Sequence, residues 1–276
     1  MGDAMTRVSI LRTMLERASR GRSFRRTLTV GDQRAKIYVS GDAQLKYLKP
    51  GGRSFDRDLI EISLACLEPQ DVVWDIGANI GVFSVAAALR ANSVVAFEAD
   101  IWLTELIRRT ARLESNTDLD IQVAPIAVAD RDGIMTFQIA SRGRASNALT
   151  SAGGRSQMGG VREEIIVPAF CVDTIGRDLE PPDFVKIDVE GAEYMVVTGG
   201  EALFRDKSPL VYAEVGKEVY PDMRQFFLRL GYSVFDASAN PLVEGKIPST
   251  NCFFAKDFHT PRLDRLRERN KSGTKS

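Results

Sequence analysis

The chain has 276 residues, 44% of them apolar and 27% charged, which suits one sizeable soluble α/β domain with additions or two small domains. Lys plus Arg equal Asp plus Glu at 37 each, so net charge argues neither for nor against a polyanionic partner. Cys66, Cys171 and Cys252 stand far apart, which excludes a disulfide framework and a Cys-x-x-Cys metal site, and no stretch reaches the ~20 apolar residues of a membrane span.

Residues 5–20 carry apolar side chains at helical spacing with arginines opposite. That predicts a helix packed on the main domain or on a second subunit, the latter giving a homodimer. Arg7, Arg12 and Arg17 interrupt the apolar set, so no secretory signal is read and the expected compartment is the cytoplasm. Residues 27–40 predict a β-hairpin turning at Gly31-Asp32-Gln33, and 56–67 a helix that ends before Pro69. From Asp71 onward strands (71–74, 93–97, 121–129, 184–187, 210–213) alternate with helices (80–89, 102–113, one from 192, and 223–230). Closing strands at 232–235 and 252–255 have no helix between them and are expected to pair antiparallel. The pattern predicts an α/β fold: a mostly parallel sheet with helices on both faces and an antiparallel last strand.

Strands at 134–139 and 165–170 flank a stretch, 141–160, crowded with Gly, Ser and Arg; it is expected to be mobile, as a linker or a lid. After Asp257 the basic end is expected to be a frayed, solvated tail. The organisation expected is a helix and hairpin extension over 1–54, the main domain over 55–256 and a flexible tail over 257–276.

Two motifs carry chemistry. In the first, Val72-Val73-Trp74 feeds Asp75-Ile76-Gly77-Ala78-Asn79-Ile80-Gly81, a strand turning through glycines into a helix. Such a turn brings backbone N–H groups against a ligand at the carboxyl edge of the sheet. Asn79 stands where dinucleotide sites usually have glycine and would crowd a pyrophosphate. S-adenosylmethionine has no phosphate, so the same turn can serve it. Glu98 ends the next strand, about 20 residues on, where an acid binds ribose hydroxyls. Asp75 and Glu98 could singly be helix caps or surface charges; together, at the ends of adjacent strands, they favour a nucleoside site. The candidate cofactor-binding residues are Asp75, Gly77, Ala78, Asn79, Gly81 and Glu98, with Ala127 beside an adenine ring and Asp130 near its amino group.

In the second motif the strand Phe184-Val185-Lys186-Ile187 runs into Asp188, Glu190 and Glu193, and Glu214 ends the following strand. Methyl transfer to a hydroxyl needs the acceptor aligned and its proton removed, by a carboxylate base or a metal ion. With His259 the only histidine, a His base is disfavoured. Asp188, Glu190, Glu214 and Lys186 are the candidate catalytic residues; carboxylate-bound Mg²⁺ is an open alternative, as is Lys186 serving only to balance charge. Glu193 is equally readable as a solvent-facing residue.

Asp75 to Gly81 together with Lys186-Ile187-Asp188-Val189-Glu190-Gly191-Ala192-Glu193 resembles the FkbM-type methyltransferase family, over roughly residues 55–256. The resemblance implies a class I methyltransferase (Rossmann-like) fold and S-adenosylmethionine as donor. It also implies O-methylation in biosynthesis, on a hydroxyl of a sugar or other small natural-product acceptor; a nucleic-acid acceptor is disfavoured because the core shows no aromatic-interleaved basic patch. Where the family often has Leu-Asp, Cys171-Val172-Asp173 keeps the acid. An NAD(P)-dependent oxidoreductase lacks a His or Tyr-Lys proton donor here. A non-catalytic binding protein retaining the fold is the other alternative.

Overall fold

The strand β3 (Val72–Ile76) is buried along its whole length, as are β4 (Ser93–Phe97) and β10 (Phe184–Ile187). Apolar runs this short and continuous belong in the middle of a sheet covered on both faces. The computed structural model describes residues 18–49, 55–141, 143–150, 160–243, 245–248 and 251–273. The N-terminal helix expected over 5–20 falls almost wholly outside them. Around these three strands lie β5 (Ile121–Ala124), β11 (Leu210–Glu214), β12 (Ser233–Asp236) and β13 (Asn251–Ala255), giving the order β12-β13-β11-β10-β3-β4-β5. All neighbours are parallel except β13, which runs antiparallel to both β11 and β12. The mostly parallel sheet with an antiparallel last strand is therefore as the sequence predicts.

Side chains alternate across this sheet with period 2. Trp74, Ile76, Phe97, Val185 and Ile187 face one core, closed by α4 (Val172–Asp178), α5 (Glu193–Thr198), α6 (Glu201–Asp206) and α7 (Tyr220–Arg229). Val73, Val94 and Phe184 face the other, closed by α1 (Arg57–Cys66), α2 (Val82–Ala88) and α8 (Thr260–Gly273). The single helix expected from residue 192 is two, broken at Gly199-Gly200. A Cβ on Gly199 would lie 2.2 Å from the Ala129 carbonyl oxygen, so the break lets the backbone come that close.

The hairpin β1 (Phe24–Val30) and β2 (Gln33–Val39) packs its apolar face on α2 and on α3 (Ile101–Ala111). Its edge is satisfied by side chains: Tyr38 N–H donates to Thr110 Oγ1 at 2.9 Å, and Asn116 Nδ2 donates to the Lys36 carbonyl at 2.7 Å.

Three expectations are corrected. The strand read over 121–129 is two strands: Pro125 lacks an N–H, and after it β6 (Ala127–Ala129) joins a second sheet. That sheet has the order β6-β9-β7-β8, with β7 (Gly133–Ala140), β8 (Ala148–Leu149) and β9 (Val161–Cys171). Second, residues 143–150 within the 141–160 stretch are packed, with Arg144, Asn147, Ala148 and Leu149 buried. Third, the end expected to fray is α8. Leu263 and Leu266 are buried, and its arginines pair with acids on and after α1: Arg262 reaches buried Asp71 at 2.7 Å and Arg269 reaches Glu61 at 2.9 Å. The stripe of two leucines is too narrow to announce itself in a sequence, and the acids that hold it lie far away in the chain. His259 is buried with it, in a one-turn 3-10 helix. No helix among the described residues is long and apolar enough to cross a membrane.

Candidate active site

The two motifs meet at the carboxyl edge of β3 and β10. Gly77 has φ +78°, and a Cβ there would lie 1.9 Å from the Asp188 carbonyl oxygen. Only glycine lets the turn pass so close to the second motif. Gly77 N–H and Ala78 N–H both donate to the Phe97 carbonyl at 3.0 Å, and Asp188 N–H donates to the Ile76 carbonyl at 3.0 Å. The turn is thus tied to both neighbouring strands. Gly81, at φ +83°, starts α2 against Ile107.

Above this edge lies a cavity that opens to solvent. Gly77, Asn79 and Glu98 line one wall, Ile126 and Ala127 a second, and Asp188 and Glu190 a third. Its roof is the β insert: Phe137 of β7, then Arg144, Asn147 and Leu149. Asn79 and Glu190, both in the lining, hold left-handed backbones (φ 55° and 52°). Such strain in non-glycine residues persists where the surrounding structure enforces it, and it gathers at functional sites.

Glu98 is buried, and each carboxylate oxygen already accepts one backbone N–H: Oε2 from Asn79 and Oε1 from Asp100, both at 2.8 Å. Burial pushes its pKa up to about 8, against the pull of those two N–H groups. Free lone pairs remain on both oxygens. Asn79 Oδ1 is buried beside it with no hydrogen-bond partner among the described residues.

Asp75 does not line the cavity. It sits beneath the turn, fully buried, accepting from Ser84 Oγ at 2.6 Å and facing Lys186 Nζ at 3.1 Å from the adjacent register position. Lys186 Nζ also donates to the Gly77 carbonyl at 3.0 Å and lies 3.5 Å from Asp188 Oδ2. Burial disfavours the ammonium, but Asp75 and Asp188 outweigh it and hold the Lys186 pKa above its usual range. Lys186, expected as a catalytic or charge-balancing residue, thus lies under the turn between Asp75 and Asp188 and does not line the cavity. Ala78 is buried beneath the turn too.

Asp130 is exposed beyond β6 and Glu214 ends β11; neither lines the cavity. Glu193 is buried and accepts from Gly191 N–H at 2.9 Å, inside its own loop. Among the described residues no three His, Cys, Asp or Glu come together where they could hold a metal ion.

Sequence reasoning missed Asp100, Arg144 and Asn147. Asp100 caps α3, its Oδ1 accepting from Trp102 N–H at 2.9 Å, while Oδ2 accepts from Asn147 Nδ2 at 2.8 Å and from Arg144. Asp100, two residues after Glu98, was readable as a cap. Nothing local signals Arg144, whose partners lie 44 and 102 positions away.

With this geometry the chain can be set beside known proteins. The methyltransferase FkbM domain family matches residues 75–234. The chain belongs to that family, and the oxidoreductase alternative falls away. It is similar to hexuronic acid methyltransferase AglP of Haloferax volcanii, 24% identical over 144 residues, covering 52% of this chain and 56% of that protein. The chain thus matches just over half the length of that relative. Among solved structures it is similar to an FkbM methyltransferase from Methylobacillus flagellatus, with a TM-score of 0.48 and 14% identity over 68% of this chain and 44% of that one. It is also similar to a Pyrococcus abyssi tRNA (uracil-54, C5)-methyltransferase in complex with S-adenosyl-L-homocysteine, with a TM-score of 0.44 and 11% identity over 84% and 43%.

Proposed function

We propose that the protein is an S-adenosylmethionine-dependent O-methyltransferase acting on a hydroxyl of a small sugar or natural-product acceptor. The observation that carries the reading is the cavity that Asn79 of the turn and Glu98 after β4 share with Asp188 and Glu190 of the second motif. Bound there, S-adenosylmethionine would supply an electrophilic methyl group. The residues present fit it. Glu98 has lone pairs free for ribose hydroxyls, and the orphaned Asn79 Oδ1 offers an acceptor on the same wall. Ile126, Ala127 and Val128 give an apolar wall of the kind an adenine ring needs. Asp75 and Lys186 act from below, by fixing the turn.

Asp188 and Glu190 orient the acceptor hydroxyl and take its proton. A group aligned at hydrogen-bond reach contributes both positioning and general-base catalysis. The hexuronic acid relative supports a sugar acceptor over a nucleic acid. Release of S-adenosylhomocysteine across a panel of hydroxylated sugars and sugar acids tests the reading, with Asp188→Ala and Glu190→Ala alongside. The variants are expected to keep S-adenosylhomocysteine binding and lose turnover. Full turnover in both would refute their assignment.

A further inference from the structure

The roof of the cavity is held by a part of the chain that lies outside the matched family domain. Asp42, just past the hairpin, is 4% exposed and does not line the cavity. It nonetheless grips the roof from both sides: Arg144 Nε reaches its Oδ2 at 3.1 Å, and Arg162 of β9 reaches its Oδ1 at 2.9 Å. Arg144 N–H also donates to the Asp42 carbonyl at 2.9 Å, and Ala145 N–H to the Ala43 carbonyl at 3.3 Å. From there the Arg144 guanidinium passes 4.9 Å from the Trp102 ring centroid and pairs with Asp100. Asp100 N–H in turn donates to Glu98 Oε1. A continuous buried chain therefore runs from Asp42 through Arg144 and Asp100 to Glu98.

We propose that Asp42 and Arg144 are positioning residues for the donor site: the docked hairpin fixes Arg144, and Arg144 fixes the loop that presents Glu98. The inference rests on the S-adenosylmethionine reading of the cavity. Arg144 is suited to the task because its planar fork puts two separate N–H groups, Nε and Nη1, on Asp42 and Asp100 in fixed geometry, where a lysine offers one flexible nitrogen. The consequence is a donor site that forms only while the hairpin, the insert and the core sheet are joined.

The test is calorimetric titration of S-adenosylhomocysteine into the full chain and its Asp42→Asn, Arg144→Gln and Arg144→Lys variants and the Asp42→Asn/Arg144→Gln double variant. Hydrogen exchange of the amides at 143–149 is followed in parallel without ligand. Asp42→Asn is expected to weaken binding within the roughly 5- to 150-fold range usual for coupled sites. The double variant should be no weaker than Arg144→Gln alone, because both break one chain. Arg144→Lys keeps the buried charge and should still lose affinity, which covers the case in which Asp42→Asn does not fold. Exchange at 143–149 should rise in every folded variant. Wild-type affinity in a folded Asp42→Asn or Arg144→Lys, or losses that multiply in the double variant, would overturn the proposal. If the wild-type chain binds no S-adenosylhomocysteine, the donor reading fails by itself. Unchanged exchange in the variants would separately refute the role of Asp42 and Arg144 in holding the insert.

Discussion

Lys186 and Arg144 are both buried cations set between two carboxylates, and they hold opposite sides of one cavity. Lys186 stands on a central strand, and its partners Asp75, Gly77 and Asp188 all come from that strand and its immediate neighbour. Arg144 stands in an insert between strands, and its partners come from the hairpin and from the cap of α3. The floor is thus part of the sheet and forms with it, whereas the roof needs three separately folded pieces to meet. A cation in the floor acts on stability first; a cation in the roof acts on ligand affinity first.

The largest effect that follows is at the floor. Lys186→Met leaves Asp75 buried beside an apolar chain, and removing one partner of a buried pair costs about 3–5 kcal/mol. Denaturant unfolding should show that loss, alongside a smaller one for Arg144→Gln, because Asp42 keeps Arg162 and Asp100 keeps Trp102 N–H and Asn147 Nδ2 as donors. Equal losses would break the distinction between floor and roof. The smaller effect sharpens the wall between them. Glu98 is held at about 8, above its ordinary 4.5, so the folded chain keeps a proton that the unfolded chain has lost. Raising pH from the ordinary carboxylate range through about 8 should therefore withdraw stability from the ligand-free chain. Over the same window S-adenosylhomocysteine affinity should rise, since ionised Glu98 accepts hydroxyl hydrogens better. Glu98→Gln should flatten both slopes, and a slope that survives in the variant would contradict the assignment.

The same contrast explains what could be read from the sequence. The floor was legible because its signals are local: a wholly apolar strand, a glycine turn, an acid at the next strand end. Asp75 and Lys186 were found for that reason, but as ligand and catalytic groups. That they are cross-strand neighbours under the turn depends on β3 and β10 being adjacent, although they lie more than 100 residues apart. The roof was hidden because residues 141–160 lack any periodic apolar pattern. What orders 143–150 is two acids elsewhere, Asp42 and Asp100. α8 was missed for the same physical reason, since charge pairing carries a docking that its two leucines do not advertise.

The central claim is that the cavity between the glycine turn and the insert binds the methyl donor. Calorimetric titration of the full chain with S-adenosylmethionine, with hydrogen exchange read in the same samples, tests it most directly. The account predicts saturable one-site binding, with protection gathered at residues 76–81, 98–100 and 143–149. A folded chain that shows no binding at high micromolar donor, or protection elsewhere on the molecule, would contradict it.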